Sequence, residues 1–167
     1  MANDYGSTVS DYSPATGTWR TLVSGVQSPN DAIIAPFAAS APGGGLSFGA
    51  GDILVGQSNG TTGLFVYDPD TGTTTQYFAG TYFGHMAFAP VTLGAIHAGD
   101  LVLTDYTHAS IVDYSFATGS FTTLVSGIDN VIGLQFVPAD GVPEPSSAAL
   151  AAMAAAALVR RRRRRGA

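Results

Sequence analysis

Asp105-Tyr106-Thr107-His108-Ala109-Ser110-Ile111-Val112-Asp113-Tyr114-Ser115 runs on to Ala117-Thr118-Gly119, Phe121 and Thr123-Leu124-Val125-Ser126-Gly127. This stretch decides the fold because the chain uses its pattern more than once. Near the start stands Asp4-Tyr5-Gly6-Ser7-Thr8-Val9-Ser10-Asp11-Tyr12-Ser13, then Ala15-Thr16-Gly17, Trp19 and Thr21-Leu22-Val23-Ser24-Gly25. A looser third copy is Leu64-Phe65-Val66-Tyr67-Asp68-Pro69-Asp70-Thr71-Gly72, ending at Gln76-Tyr77-Phe78-Ala79-Gly80. The tyrosines at 12, 67 and 114 anchor the three copies. Spacings of roughly 40–50 residues, with several short strands per copy, are the mark of propeller blades.

Each unit divides into four short strands. Gly51-Asp52-Ile53-Leu54-Val55 and Gly99-Asp100-Leu101-Val102-Leu103 are apolar runs behind a Gly-Asp turn, suited to a buried strand. Leu64–Tyr67 and Ser110–Tyr114 follow, and the Asp/Ala-Thr-Gly turns fold each onto its successor as a hairpin. In Phe121–Val125, alternation places Thr outward and Phe or Leu inward. A last strand is expected at His85–Ala89 and at Gly133–Val137, each closed by a proline, with Ala32–Ala35 in that place in the first unit. Ala38–Gly49, with its Pro42-Gly43-Gly44-Gly45, reads as a flexible loop between blades, and Val91–Ala98 as a smaller insertion of the same kind. Trp19, Phe121 and Tyr77 occupy similar places and fit packing between blades better than a platform for stacking sugars.

This layout resembles the blades of NHL-type and gluconolactonase-like β-propellers. The resemblance covers roughly residues 4 to 140. It rests on the Gly-Asp-Leu-Val opening, the Tyr-x-x-x-Thr-Gly hairpin, the Thr-Leu-Val-Ser-Gly strand and Ser28-Pro29-Asn30-Asp31. In that family a central divalent metal is held by Asn, Asp and Glu from several blades. The resemblance carries only Asn30 to such a position, and no glutamate precedes residue 144. A metal-dependent lactonase or lyase is therefore the minor reading. The expectation is an all-β, partial propeller of about three four-stranded blades. Its first unit begins partway through a blade, which suggests the C-terminal part of a longer protein.

Beyond residue 140 the chemistry changes. Val142-Pro143-Glu144-Pro145-Ser146-Ser147 cannot continue a strand or enter a helix, so residues 141–147 form an extended linker. Ala and Leu then favour a helix over 148–159, and Arg160, Arg161, Arg162, Arg163, Arg164 and Arg165 follow within a tail of 160–167. A basic block beside an apolar helix stays on the cytoplasmic side of a membrane. The uncharged run from Ser146 to Val159 would span roughly 21 Å as a helix, against a hydrocarbon core of about 30 Å, so it makes a short anchor.

These 26 residues resemble the PEP-CTERM sorting signal of exported bacterial proteins. The resemblance implies recognition by an exosortase, cleavage near Pro143-Glu144-Pro145, and release to the cell surface or extracellular matrix. Met1–Gly25 has neither the basic start nor the apolar run of an export leader. This fits the expectation that Met1 is not the true start.

Charge and composition narrow the function further. The only base before the tail is Arg20, against eleven aspartates, so residues 1–141 carry a net −10. Such a body does not suit nucleic-acid phosphates. It suits divalent cations or a polysaccharide matrix, and acidity also serves solubility. The absence of cysteine excludes disulfides, thiolate zinc sites and a cysteine nucleophile.

Gly43-Gly44-Gly45 lacks the Lys and Ser/Thr of a phosphate loop, and no Gly-x-Ser-x-Gly elbow is present. His85, His97 and His108 would have to converge from different blades to bind zinc. Asp68 and Asp70 could hold Ca²⁺ with backbone oxygens, or else cap a tight turn. The leading expectation is a non-catalytic exported protein; a carbohydrate- or Ca²⁺-binding surface module is a further alternative.

Overall fold

Short runs of β-branched and aromatic residues, broken every few positions by Gly, Pro, Asp or Asn, favour strands over helices. The computed structural model describes residues 2–3, 6–57, 62–128, 131 and 133–136. Its strands are β1 (Ala2–Asn3), β2 (Thr8–Ser13), β3 (Thr18–Ser24), β4 (Pro29–Ile34), β5 (Ala39–Ser40), β6 (Ser47–Phe48) and β7 (Ile53–Gln57). They continue as β8 (Leu64–Asp68), β9 (Thr73–Tyr77), β10 (Phe83–Phe88), β11 (Leu101–Asp105), β12 (Ser110–Ser115) and β13 (Ser120–Ser126). One 3-10 turn, Pro42–Gly44, is the only helical element among the described residues. Met1–Phe136 forms one compact unit. The second unit, Val137–Ala167, lies outside the described residues, and with it the expected helix at 148–159.

The chain is all-β, and every named pair of strands is antiparallel. The sheets run β1-β2-β3, β4-β7-β8-β9 and β10-β11-β12-β13, with a small β5-β6 hairpin. They do not close into a propeller.

The hairpins β2-β3, β8-β9 and β12-β13 share one turn. The amides of Gly17, Gly72 and Gly119 donate to the carbonyls of Ser13, Asp68 and Ser115 at 2.8, 2.9 and 2.8 Å. All three glycines sit at φ near +70° (67°, 71° and 68°), where a side chain is strained. The residue before each glycine is Thr, whose hydroxyl bonds the hydroxyl two residues on: Thr16 to Thr18, Thr71 to Thr73, Thr118 to Ser120.

Two hairpins also share a bulge. Pairing shifts between Val9 and Ser10 in β2-β3 and between Ile111 and Val112 in β12-β13, which leaves Leu22 and Leu124 unopposed. The simple alternation expected across Phe121–Val125 fails here, because the extra residue reverses the facing of everything beyond it.

The sheet boundaries differ from the sequence expectation. The strand expected to close each unit opens the next sheet instead: β4 pairs with β7 and β10 pairs with β11. The physical reason lies in the preceding strand. β9 is Thr-Thr-Thr-Gln-Tyr and almost wholly exposed, so it offers no apolar face, whereas β11 is buried along its whole length. Residues 133–136, expected to form such a strand, carry no strand assignment.

Two apolar layers hold the sheets together. Val9, Val23 and Val26 bury against Ile53 and Val55, with Leu22, Phe65 and Tyr67 at the margin. On the opposite face of the same sheet, Leu54, Leu64 and Val66 pack with Leu101, Leu103, Val112 and Tyr114. The segment expected to be a flexible loop, Ala38–Gly49, belongs to this second layer. It folds into β5, the 3-10 turn and β6, and buries Ala41, Leu46 and Phe48.

Candidate functional site

β4 and β10 are the first strands of the two four-stranded sheets, and both are bulged near their N-terminal ends. On β4 pairing shifts between Pro29 and Asp31; on β10 it shifts between Phe83 and Met86. A bulge re-aims side chains, and here it brings Asp31 and His85 together. Asp31 Oδ2 accepts the Met86 amide at 3.0 Å and lies 3.8 Å from His85 Nδ1; Oδ1 accepts the Ala32 amide at 2.9 Å. Thr104 clamps the bulge, its hydroxyl accepting the His85 amide at 2.7 Å and donating to the His85 carbonyl at 3.3 Å. At the end of β7, opposite Pro29, Gln57 is fully buried and its Oε1 has no hydrogen-bond partner among the described residues.

Asn30 is half-buried at the β4 bulge, next to Asp31. Among the described residues no three His, Asp or Glu side chains lie together as a metal-holding group. The two groups that meet here, Asp31 and His85, lie on strands of different sheets. Asn30-Asp31 and His85 were each visible in the sequence, but their meeting was not, since the bulges that aim them leave no clear sequence signal.

The three histidines do not converge. His97 and His108 each pair with the aspartate of their own turn. His97 Nδ1 lies 3.2 Å from Asp100 Oδ2, which also accepts the His97 amide at 2.8 Å. His108 Nδ1 lies 2.7 Å from Asp105 Oδ2. The same turn occurs without a histidine at Gly49, whose amide donates to Asp52 Oδ2 at 2.7 Å. The carboxylates of Asp52 and Asp100 close the Gly-Asp turns that introduce β7 and β11, and that of Asp105 closes the turn from β11 to β12.

Asp68 spends its carboxylate on its own turn. Oδ1 accepts the Asp70 and Thr71 amides at 2.8 and 3.2 Å, and Oδ2 accepts the Thr71 hydroxyl at 2.7 Å. The Thr71 hydroxyl and these amides hold its pKa below the ordinary value. Asp70 is exposed. Of the two alternatives for this stretch, turn capping is what the geometry displays.

Asp113, which sequence reasoning passed over, is the most perturbed acid among the described residues. It is buried on β12, Oδ1 has no partner among the described residues, and burial with the Asp100 charge raises its pKa to about 6, with His97 opposing. In the neighbouring sheet the residue in this register is Val66, opposite Leu54 as Asp113 is opposite Val102.

The aromatic positions also separate. Phe121 packs against Phe78, Phe83 and Tyr114, with centroids 4.8, 5.6 and 4.9 Å away. Trp19 sits in the matching register, opposite Tyr12, and stays exposed with its ring 5.0 Å from the tyrosine. Tyr77 is not equivalent: it pairs with Leu64, and Thr74 is the residue opposite Tyr67.

Val142, Pro143, Glu144, Pro145 and Arg160 to Arg165 lie outside the described residues. No described helix is long and apolar enough to cross a membrane. Comparisons with protein-family models, with curated proteins and with solved structures gave no match.

Proposed function

We propose that the chain is an exported, non-catalytic β-protein, delivered to the cell envelope or matrix by a C-terminal sorting signal. The observation that carries this reading is the order of the last 26 residues. Val142-Pro143-Glu144-Pro145 is a cleavage motif, 148–159 an apolar segment, and Arg160–Arg165 a cytoplasmic stop. The partner is an exosortase, and the membrane is engaged through the apolar segment until cleavage. The three hairpin sheets are successive blades of an open, propeller-like arc. The shared Thr-Gly turn, the shared bulge at Leu22 and Leu124, and the shared Gly-Asp turns support that reading.

The test is to give the chain an export leader and express it in cells with and without an exosortase. Mass spectrometry of the product should show loss of the tail near Pro143–Pro145 only where the protease is present, and replacing the six arginines by glutamine should abolish processing. A full-length, soluble product in both strains would sink the proposal.

A further inference from the structure

The turn that introduces β11 carries more charge than the matching turn before β7 needs. In both, an aspartate accepts the backbone amide three residues back: Asp52 Oδ2 from Gly49 at 2.7 Å, Asp100 Oδ2 from His97 at 2.8 Å. Beside Asp52 the chain places that glycine and, opposite Leu54, Val66. Beside Asp100 it places His97, whose Nδ1 lies 3.2 Å from Oδ2, and, opposite Val102, Asp113. Asp100 and Asp113 are 5% and 3% exposed, and the Asp100 charge adds to burial in raising the Asp113 pKa. The only Lys or Arg among the described residues is Arg20, which pairs with Asp11 at 3.6 Å on the β2-β3 hairpin. The turn itself uses one acid. A second acid and an imidazole are surplus to it, and no basic side chain balances them among the described residues.

Asp100 and His97 line a cavity of about 400 Å³, which Phe37, Phe116, Ser115 and Thr118 also wall. Phe37 and Phe116 are half-buried, and both rings pack on the buried Phe48, with centroids 6.2 and 5.3 Å from it. The core therefore holds these two rings in place at the cavity wall. Apolar walls with a few fixed polar groups, in a space of this size, are the ordinary form of a small-molecule site. The charge at one end then selects the ligand. A cation is attracted by the carboxylate and by the aromatic walls, whereas an anion is attracted by neither.

We propose that this cavity binds a small amphiphilic cation, an apolar or aromatic group carrying one ammonium, with the apolar part against Phe37 and Phe116 and the ammonium at Asp100. Asp100 already has its Oδ2 engaged by the turn, so the ligand adds to a carboxylate that the backbone holds in position. Ser115 and Thr118 offer hydroxyl oxygens to the remaining ammonium protons. The site goes beyond the export reading and does not depend on the sorting tail.

The test titrates the full chain with phenethylammonium, with 2-phenylethanol as the neutral isostere and with 3-phenylpropanoate as the anion, followed by calorimetry and by amide chemical shifts. The amine should bind about tenfold more tightly than the alcohol, the scale of one cation–π contact at a partly exposed site, and the anion should not bind. Shifts should centre on residues 97–100 and 115–118. Asp100→Asn retains an oxygen for the His97 amide and should bring the amine down to the affinity of the alcohol. Two exposed wall positions keep the test decisive if that variant does not fold. Ala98→Trp fills the cavity and should abolish binding of both compounds. Thr118→Lys places a competing ammonium there and should weaken the amine about tenfold while leaving the alcohol unchanged. No saturable binding of the amine overturns the proposal. So do an alcohol that binds as tightly as the amine, and shifts that fall away from these two segments.

Discussion

The Tyr114 hydroxyl accepts the Leu46 amide at 3.0 Å, joining two residues 68 positions apart inside the larger apolar layer. Tyr77 adds a second strut, donating to the Ser47 carbonyl at 3.1 Å. Together they tie the β5-β6 hairpin onto two different sheets, and burial of the Tyr114 phenol raises its pKa.

Tyr114→Phe keeps the ring and removes the acceptor, which leaves the buried Leu46 amide unpaired. An orphaned buried donor costs about 1–3 kcal/mol, so urea denaturation should show a loss of that order. Tyr77→Phe, which touches a partly buried carbonyl, should lose less. Equal losses in the two variants would mean that the Leu46 bond is not the one that matters.

Asp113 makes stability depend on pH in an unusual direction. Its folded pKa of about 6 lies above the ordinary carboxylate value of 3.8, so the fold favours its protonated form. Its contribution is therefore fully present below about pH 4 and is lost as pH rises through about 6. That shift corresponds to at most about 3 kcal/mol. Asp113→Asn should raise stability relative to the parent chain at pH 8 and do so much less at pH 4. Asp113→Val, which copies Val66 of the neighbouring sheet, should stabilise at pH 8 as well. Chemical denaturation at both pH values checks this, and an Asn-minus-parent difference independent of pH would refute it.

Asp68 behaves oppositely. Its pKa is lowered by the Thr71 hydroxyl and by the Thr71 and Asp70 amides. The stability it contributes is present above its ordinary pKa and is lost as pH falls through the lowered one. Asp68→Ala should weaken the β8-β9 hairpin, seen as faster amide exchange at Gly72. Asp68→Ser, the residue that Ser13 and Ser115 provide in the other two hairpins, should restore part of the protection. Faster exchange in Asp68→Ala that Asp68→Ser leaves unchanged would show that the side-chain caps are not interchangeable.

How much of this was legible in the sequence depends on whether the signal was local. Ile53–Val55 and Leu101–Leu103 announced buried strands because an unbroken apolar run needs cover on both faces. The Thr-Gly turns announced hairpins because only a few residue types tolerate that backbone. The partner of β10 was not announced, since a run such as Phe83–Phe88 states that it will be buried but not beside which strand. Nor did Pro42-Gly43-Gly44-Gly45 disclose that Leu46 and Phe48 on its far side enter the core. Asp113 was missed for the same reason: an acid that alternates correctly along a strand looks exposed until its cover is known. Asp31 and His85 meet only through two bulges, each a matter of pairing between distant segments.

Gly56 tests the packing that brings those bulges together. Its backbone angle is outside the left-handed region, so conformational freedom does not explain it. Space does. A Cβ built there would collide with the carbonyl oxygens of Gly84 and Phe83 and with Met86 Cε. Met86 could swing aside, but two backbone oxygens of β10 cannot move without dragging the strand and its Thr104 clamp. Gly56→Ala should therefore destabilise by an amount typical of overpacked cores, about 1–3 kcal/mol or somewhat more, and Met86→Ala added to it should not rescue. The chemical shifts of His85 should move in Gly56→Ala, since the bulge it sits on is the element displaced. Gly51→Ala, where a Cβ would meet nothing within 4 Å but φ is +93°, separates strain from crowding. It should destabilise the protein while leaving His85 undisturbed. A Gly56→Ala protein as stable as the parent, with His85 unmoved, would mean that β4-β7 and β10 are not packed as tightly as these distances require.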